Sequence, residues 1–87
     1  MKEKILIIED EEALVKGLRL NLKDEGYQVA WASDGEQGLE QVFKEKPDLI
    51  LLDIMLPKKD GLEICRELRE KKIGIPIIML SKRGRDR

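Results

Sequence analysis

The chain has 87 residues, 41% hydrophobic and 40% charged, with 17 Lys and Arg against 18 Asp and Glu for a formal net charge of -1. That length bounds it to one small domain, and the near balance of sign gives no overall attraction to nucleic acid or to an anionic membrane. No histidine and a single cysteine exclude a Ser-His-Asp triad and an intramolecular disulfide, and no apolar run approaches the about 20 residues of a membrane-spanning helix or the form of a signal peptide, so the chain reads as soluble and cytoplasmic.

Ile5, Leu6, Ile7 and Ile8 form the first apolar run, and Glu9 and Asp10 follow it directly. A run this uniformly apolar suits a strand buried on both faces, as in a parallel sheet covered by helices. Over 11–25, Leu14, Leu18 and Leu22 recur every four residues with Val15 alongside, while Lys16, Arg19 and Lys23 fall elsewhere. This spacing predicts an amphipathic helix, which Gly26 stops. Residues 27–32 read as a second strand with Val29 and Trp31 on one side. Ser33, three positions before Glu36, reads as a capping box opening a second helix over 34–46, with Leu39, Val42 and Phe43 on its buried face and Pro47 at its end.

The next apolar run, Leu49, Ile50, Leu51 and Leu52, ends in Asp53 and predicts the third strand. Pro57 and the pair Asp60 and Gly61 mark a loop. A third helix then runs to residue 72, using Leu62, Ile64, Cys65 and Leu68, and the Cys65 thiol reads as buried and structural. Gly74 and Pro76 introduce the fourth strand, Ile77 to Leu80, which terminates in Ser81. Residues 82–87 are a short basic tail with no core of their own.

Strands alternating with helices in this rhythm imply right-handed crossovers and a parallel sheet. Ligands in such sheets bind beyond the carboxyl ends of the strands, so Glu9, Asp10 and Asp53 should meet at one rim. Three carboxylates there suit a hard divalent cation and leave Asp53 for phosphate chemistry. Acids after strands also serve as helix caps, and Asp10 taken alone reads equally as the N-cap of the first helix. Glu11 and Glu12 read as first-turn acids suited to the helix dipole, and Lys58 and Lys59 as solvated loop residues.

Ile7 to Glu11, the run PDLILLDIMLP at 47–57, Asp60 with Gly61, and Pro76 to Ser81 resemble, in order and spacing, the receiver domain of a two-component response regulator, particularly the type joined to winged-helix DNA-binding domains. The resemblance implies an α/β, flavodoxin-like doubly wound parallel sheet of strand order 2-1-3-4, with four strands and three helices. The family's last strand and two further helices are missing. Residues 1–81 would then be a truncated receiver domain and 82–87 the start of the family's fourth helix.

The resemblance also implies roles. Asp53 is the phosphoacceptor, attacking the phosphohistidine of a sensor histidine kinase. Asp10 ligates Mg²⁺ directly and Glu9 mostly through water, while Asp53 and the backbone carbonyl of Met55 complete the metal set. Ser81 hydrogen-bonds a phosphoryl oxygen and moves inward on activation. Such a domain is not an enzyme in its own right, with at most self-catalysed phosphoryl transfer and autodephosphorylation, and it reaches DNA only through a separate effector domain of the parent.

The family's last strand carries a lysine that contacts the phosphoryl group, so the 87 residues alone are expected to be impaired in phosphorylation and switching. The fourth strand, left as an edge, should promote self-association. The alternative is a non-signalling structural or engineered half-domain that self-associates through that strand. A metal-dependent hydrolase with a nucleophilic aspartate is disfavoured, because its second Asp would fall at Met55.

Overall fold

The computed structural model describes residues 2–80, and strand alternates with helix along them: β1 Lys4–Ile8, α1 Glu12–Asp24, β2 Gln28–Ala32, α2 Gly35–Glu45, β3 Leu49–Asp53, α3 Gly61–Glu70 and β4 Ile77–Leu80. The strands form one parallel sheet of order β2-β1-β3-β4. The two most apolar runs, β1 and β3, take the central places, where strands need an apolar side chain on both faces. Alternation then sorts the core into two layers. Leu6, Ile8, Ile50 and Leu52 pack with Val42 of α2 and with Ile64 and Leu68 of α3. On the other face Ile5, Ile7 and Leu51 pack with Val15 of α1, and Val29 and Trp31 flank them.

Register decides what happens at the carboxyl end. Ile8 pairs with Ala32 on one side and with Leu52 on the other. The residues that follow Ile8 and Leu52 are Glu9 and Asp53, so the two acids emerge at the same level on adjacent strands. Gly26, at φ 97°, turns the chain out of α1 in a backbone region that glycine enters without a Cβ clash.

Five expectations shift. The second helix is capped by Asp34, one residue after Ser33, and the Gln37 amide donates to Asp34 Oδ1 at 2.8 Å. Phe43 is 45% exposed, because α2 meets the sheet through Gly38 and Val42 and the next residue is rotated by about 100° away from that contact. Gly38 lies so close to β1 that a Cβ there would sit 2.7 Å from Ile8 Cδ1. Leu62 is likewise 58% exposed, since α3 buries Gly61, Ile64 and Leu68 instead. The third helix ends at Glu70, short of residue 72, and Cys65 is a free, half-buried thiol rather than a buried one. On β4, Ile78 shares a face with its register partner Leu51 and is 52% exposed. Ser81 and the tail 82–87 lie outside the described residues.

Candidate functional site

At the carboxyl rim one carboxylate oxygen from each of Glu9, Asp10 and Asp53 lies within 4.8 Å of the others. Glu9 and Asp53 are 0% and 1% exposed, whereas Asp10 faces solvent. Two buried carboxylates at this spacing repel each other and lose hydration, and a cation bound between them relieves both costs. The donor set is all oxygen, which suits a hard divalent ion such as Mg²⁺ and leaves room for the waters that ion retains.

Glu9 is held through both its backbone and its side chain. Its amide donates to the Ala32 carbonyl at 3.0 Å, one step beyond the β1–β2 register. Its Oε2 accepts the Glu11 amide at 2.9 Å, and its carbonyl accepts the indole Nε1–H of Trp31 at 2.7 Å. The residue in the N-cap position of α1 is Glu11, and its side chain makes no cap bond. Asp10 therefore stands outside the cap position and is exposed at the rim.

Asp53 ends β3 in register with Leu80 of β4, and the next amide, that of Ile54, donates to the Leu80 carbonyl at 3.2 Å. Asp53 Oδ1 accepts the Met55 amide at 3.3 Å, which places Met55 in the loop immediately beside the carboxylate. That loop returns to the sheet at once. The Gly61 amide donates to the Ile54 carbonyl at 2.8 Å, and a Cβ on Gly61 would stand 2.4 Å from the Asp53 carbonyl oxygen. Only a residue without a side chain lets α3 begin this close to the acid-bearing strand.

Elsewhere the loop rests on α2. The Gly35 amide donates to the Pro57 carbonyl at 3.3 Å, and a Cβ on Gly35 would meet the Lys59 carbonyl oxygen at 1.9 Å. Lys58 is exposed with φ 71°, while Lys59 is not simply solvated, because its ammonium pairs with Glu67 of α3. The hydrogen bond from Lys59 to Glu67, helped by the carboxylate's charge, holds the Lys59 pKa above the usual lysine value. Asp10, Met55, Asp60 and Leu62 border a shallow depression of about 430 Å³ beside the carboxylates.

The structure thus brings Glu9, Asp10 and Asp53 together with Met55 at their side. Sequence reasoning missed Trp31 and Gly61 as contributors to this rim, and it missed the capping box of α3. In that box the Glu63 amide donates to Asp60 Oδ1 at 3.0 Å and the Asp60 amide to Glu63 Oε1 at 3.2 Å. The Asp-x-x-Glu spacing at 60–63 was the available signal.

A parallel sheet of this order with helices between its strands defines an α/β, flavodoxin-like domain, and the chain belongs to the response regulator receiver domain family, whose model matches residues 5–87. It is 50% identical over 86 residues to the alkaline phosphatase synthesis transcriptional regulatory protein PhoP of Bacillus subtilis, a match covering 99% of this chain and 36% of that protein. It superposes on the Francisella response regulator 1452 receiver domain with a TM-score of 0.89 at 28% identity, over 92% of this chain and 66% of that one. For the BeF3-activated N-terminal receiver domain of Klebsiella pneumoniae RstA the TM-score is 0.84 at 40% identity, over 90% and 66% of the two chains. The chain therefore spans just over a third, 36%, of the length of the curated relative. Among the described residues no helix is long and apolar enough to cross a membrane.

Proposed function

We propose that this chain is the phosphoacceptor portion of a response regulator, in which Asp53 receives a phosphoryl group from a sensor histidine kinase and the parent protein controls transcription through a separate DNA-binding domain. The observation that carries this reading is the convergence of Glu9, Asp10 and Asp53 within 4.8 Å at the rim. In this assignment Asp10 and Asp53 hold Mg²⁺ directly, Glu9 holds it through water, and the Met55 carbonyl completes the set. When bound, Mg²⁺ neutralises charge on the transferring phosphoryl group.

The chain's own residues supply position and a nucleophile. An Asp53 carboxylate oxygen attacks phosphorus in line with the scissile P–N bond of the phosphohistidine. That bond breaks with its electron pair remaining on the imidazole nitrogen, and an acyl phosphate forms on Asp53. Water attack on the same phosphorus reverses the modification and makes autodephosphorylation the second half of the cycle. Burial of Asp53 between neighbouring strands fixes its direction of approach, which is where much of the rate in such transfers arises. Ser81, the residue after β4, would donate its hydroxyl to a phosphoryl oxygen.

Residues 1–81 are assigned to the receiver unit, and 82–87 lie outside the described residues. The exposed Ile78 and the β4 edge support pairing with a second copy, which also suits the alternative reading of a self-associating module without signalling output. Incubation with a small phosphodonor in Mg²⁺, followed by intact mass and peptide mapping, tests the assignment. A single acid-stable, base-labile adduct on Asp53 is expected, lost in Asp53→Asn. An adduct that persists in Asp53→Asn removes the phosphoacceptor role, and a monomer by sedimentation at micromolar concentration removes the self-association.

A further inference from the structure

We infer that Trp31 is a positioning residue for the acidic cluster, acting through the peptide bond between Glu9 and Asp10. The inference rests on the reading of Glu9, Asp10 and Asp53 as cation ligands. Trp31 is the only tryptophan in the chain and lies on β2, in register with Ile7. Its indole Nε1–H reaches past that partner to donate to the Glu9 carbonyl at 2.7 Å, linking residues 22 apart in sequence.

The carbonyl in question is a structural weak point. The β1–β2 register ends at the pair Ile8 and Ala32, and the last ladder bond runs from the Glu9 amide to Ala32. After Ala32 the chain leaves the sheet for α2, so a side chain supplies the donor that the ladder no longer provides. Because the peptide unit is planar, fixing the Glu9 oxygen fixes ψ of Glu9 and φ of Asp10 together. Those two dihedrals set how the Glu9 and Asp10 side chains diverge. The indole bond therefore selects the one peptide orientation in which a buried acid and an exposed acid converge on a common point with Asp53.

The ring itself is anchored. Trp31 is half-buried and packs with the layer under α1 that contains Ile7 and Val15. Phenylalanine preserves most of that packing and deletes the donor, which separates positioning from bulk.

The experiment measures Mn²⁺ affinity of the full 87-residue chain from the loss of the free-ion electron paramagnetic resonance signal, with Mn²⁺ as the hard octahedral surrogate for Mg²⁺. Trp31→Phe should bind Mn²⁺ about tenfold more weakly, the usual effect of losing an outer-shell partner of a metal ligand. Leu22→Ala, which weakens packing at the opposite end of α1, should lower the urea midpoint and leave Mn²⁺ affinity unchanged. Parental affinity in Trp31→Phe, or an equal loss in Leu22→Ala, overturns the inference while leaving the metal site standing. Failure of the parent chain to bind Mn²⁺ overturns both. The parent also provides a readout that needs no variant: Trp31 emission should change saturably when diamagnetic Mg²⁺ is titrated in, over the Mg²⁺ range that displaces bound Mn²⁺ in competition, and constant emission through that range contradicts the coupling.

Discussion

Gly61→Ala tests how tightly the start of α3 is bound to the acid-bearing strand. An alanine Cβ at this position would sit 2.4 Å from the Asp53 carbonyl oxygen, 2.9 Å from Ile54 Cα and 3.1 Å from the Asp53 carbonyl carbon. All three are backbone atoms, so no rotamer change relieves the contact. The helix start and the end of β3 must part by about 1 Å, from 2.4 Å to the 3.4 Å at which such contacts become ordinary. Overpacking of this kind costs about 1–3 kcal/mol, and the reduced freedom of alanine in the unfolded chain returns about 0.4–1 kcal/mol. At mid-range, about 2 kcal/mol lost against about 0.7 kcal/mol returned, the net loss of about 1.3 kcal/mol lowers Tm by roughly 5–10 °C for a domain of this size. The 2.8 Å bond from the Gly61 amide to the Ile54 carbonyl is strained by the same movement, so Mn²⁺ affinity should fall with stability. Urea and thermal unfolding by circular dichroism, beside Mn²⁺ titration, give both numbers. Gly17→Ala is the contrast, since nothing lies within 4 Å of a Cβ there and the site is in mid-helix; it should stabilise by about 0.5–1 kcal/mol. Parental stability and affinity in Gly61→Ala would refute the argument that this glycine sets the distance between α3 and Asp53.

Asp60→Ala removes the side-chain acceptor for the Glu63 amide while leaving the backbone amide at 60 to donate to Glu63, and should cost about 1 kcal/mol, read as a lower urea midpoint at constant slope; an unchanged midpoint would show that water replaces the cap at no loss. Glu45 accepts a hydrogen bond from the Lys4 ammonium at 2.8 Å, and that bond, with the ammonium's charge, holds its carboxyl below the usual value. A carboxyl lowered in the folded state adds stability above its unfolded pKa, and that increment disappears as pH falls through the folded one. Glu45→Gln should therefore flatten the acid limb of a stability-versus-pH curve, more visibly at low salt, and superimposable limbs would reject the pairing.

Much of the architecture was legible because it is written in short-range periodicity. The runs at 5–8 and 49–52 are apolar at every position, which only a strand covered on both faces tolerates, and an acid follows each run at its carboxyl end. Once the strands are parallel and adjacent, Glu9 and Asp53 have to emerge on one rim, and the structure puts them there beside Asp10. The misplacements have equally local reasons. Ser33 and Asp34 are both good N-caps, and moving the cap by one residue leaves the apolar pattern of the helix unchanged. Phe43 and Leu62 have the hydropathy of core residues, yet glycines at 38 and 61 take the close contacts with the sheet and rotate those side chains outward.

By itself, then, the order of residues determined the strands, the helices, the direction of the sheet and the three acids at its edge, since each depends on neighbours a few positions away. Only the tertiary structure decided that the Trp31 indole reaches the Glu9 carbonyl and that Gly61 lies against the Asp53 carbonyl. Those contacts depend on strand register and on separations of a few tenths of an ångström between segments that meet only when the chain is packed, and no local pattern encodes either.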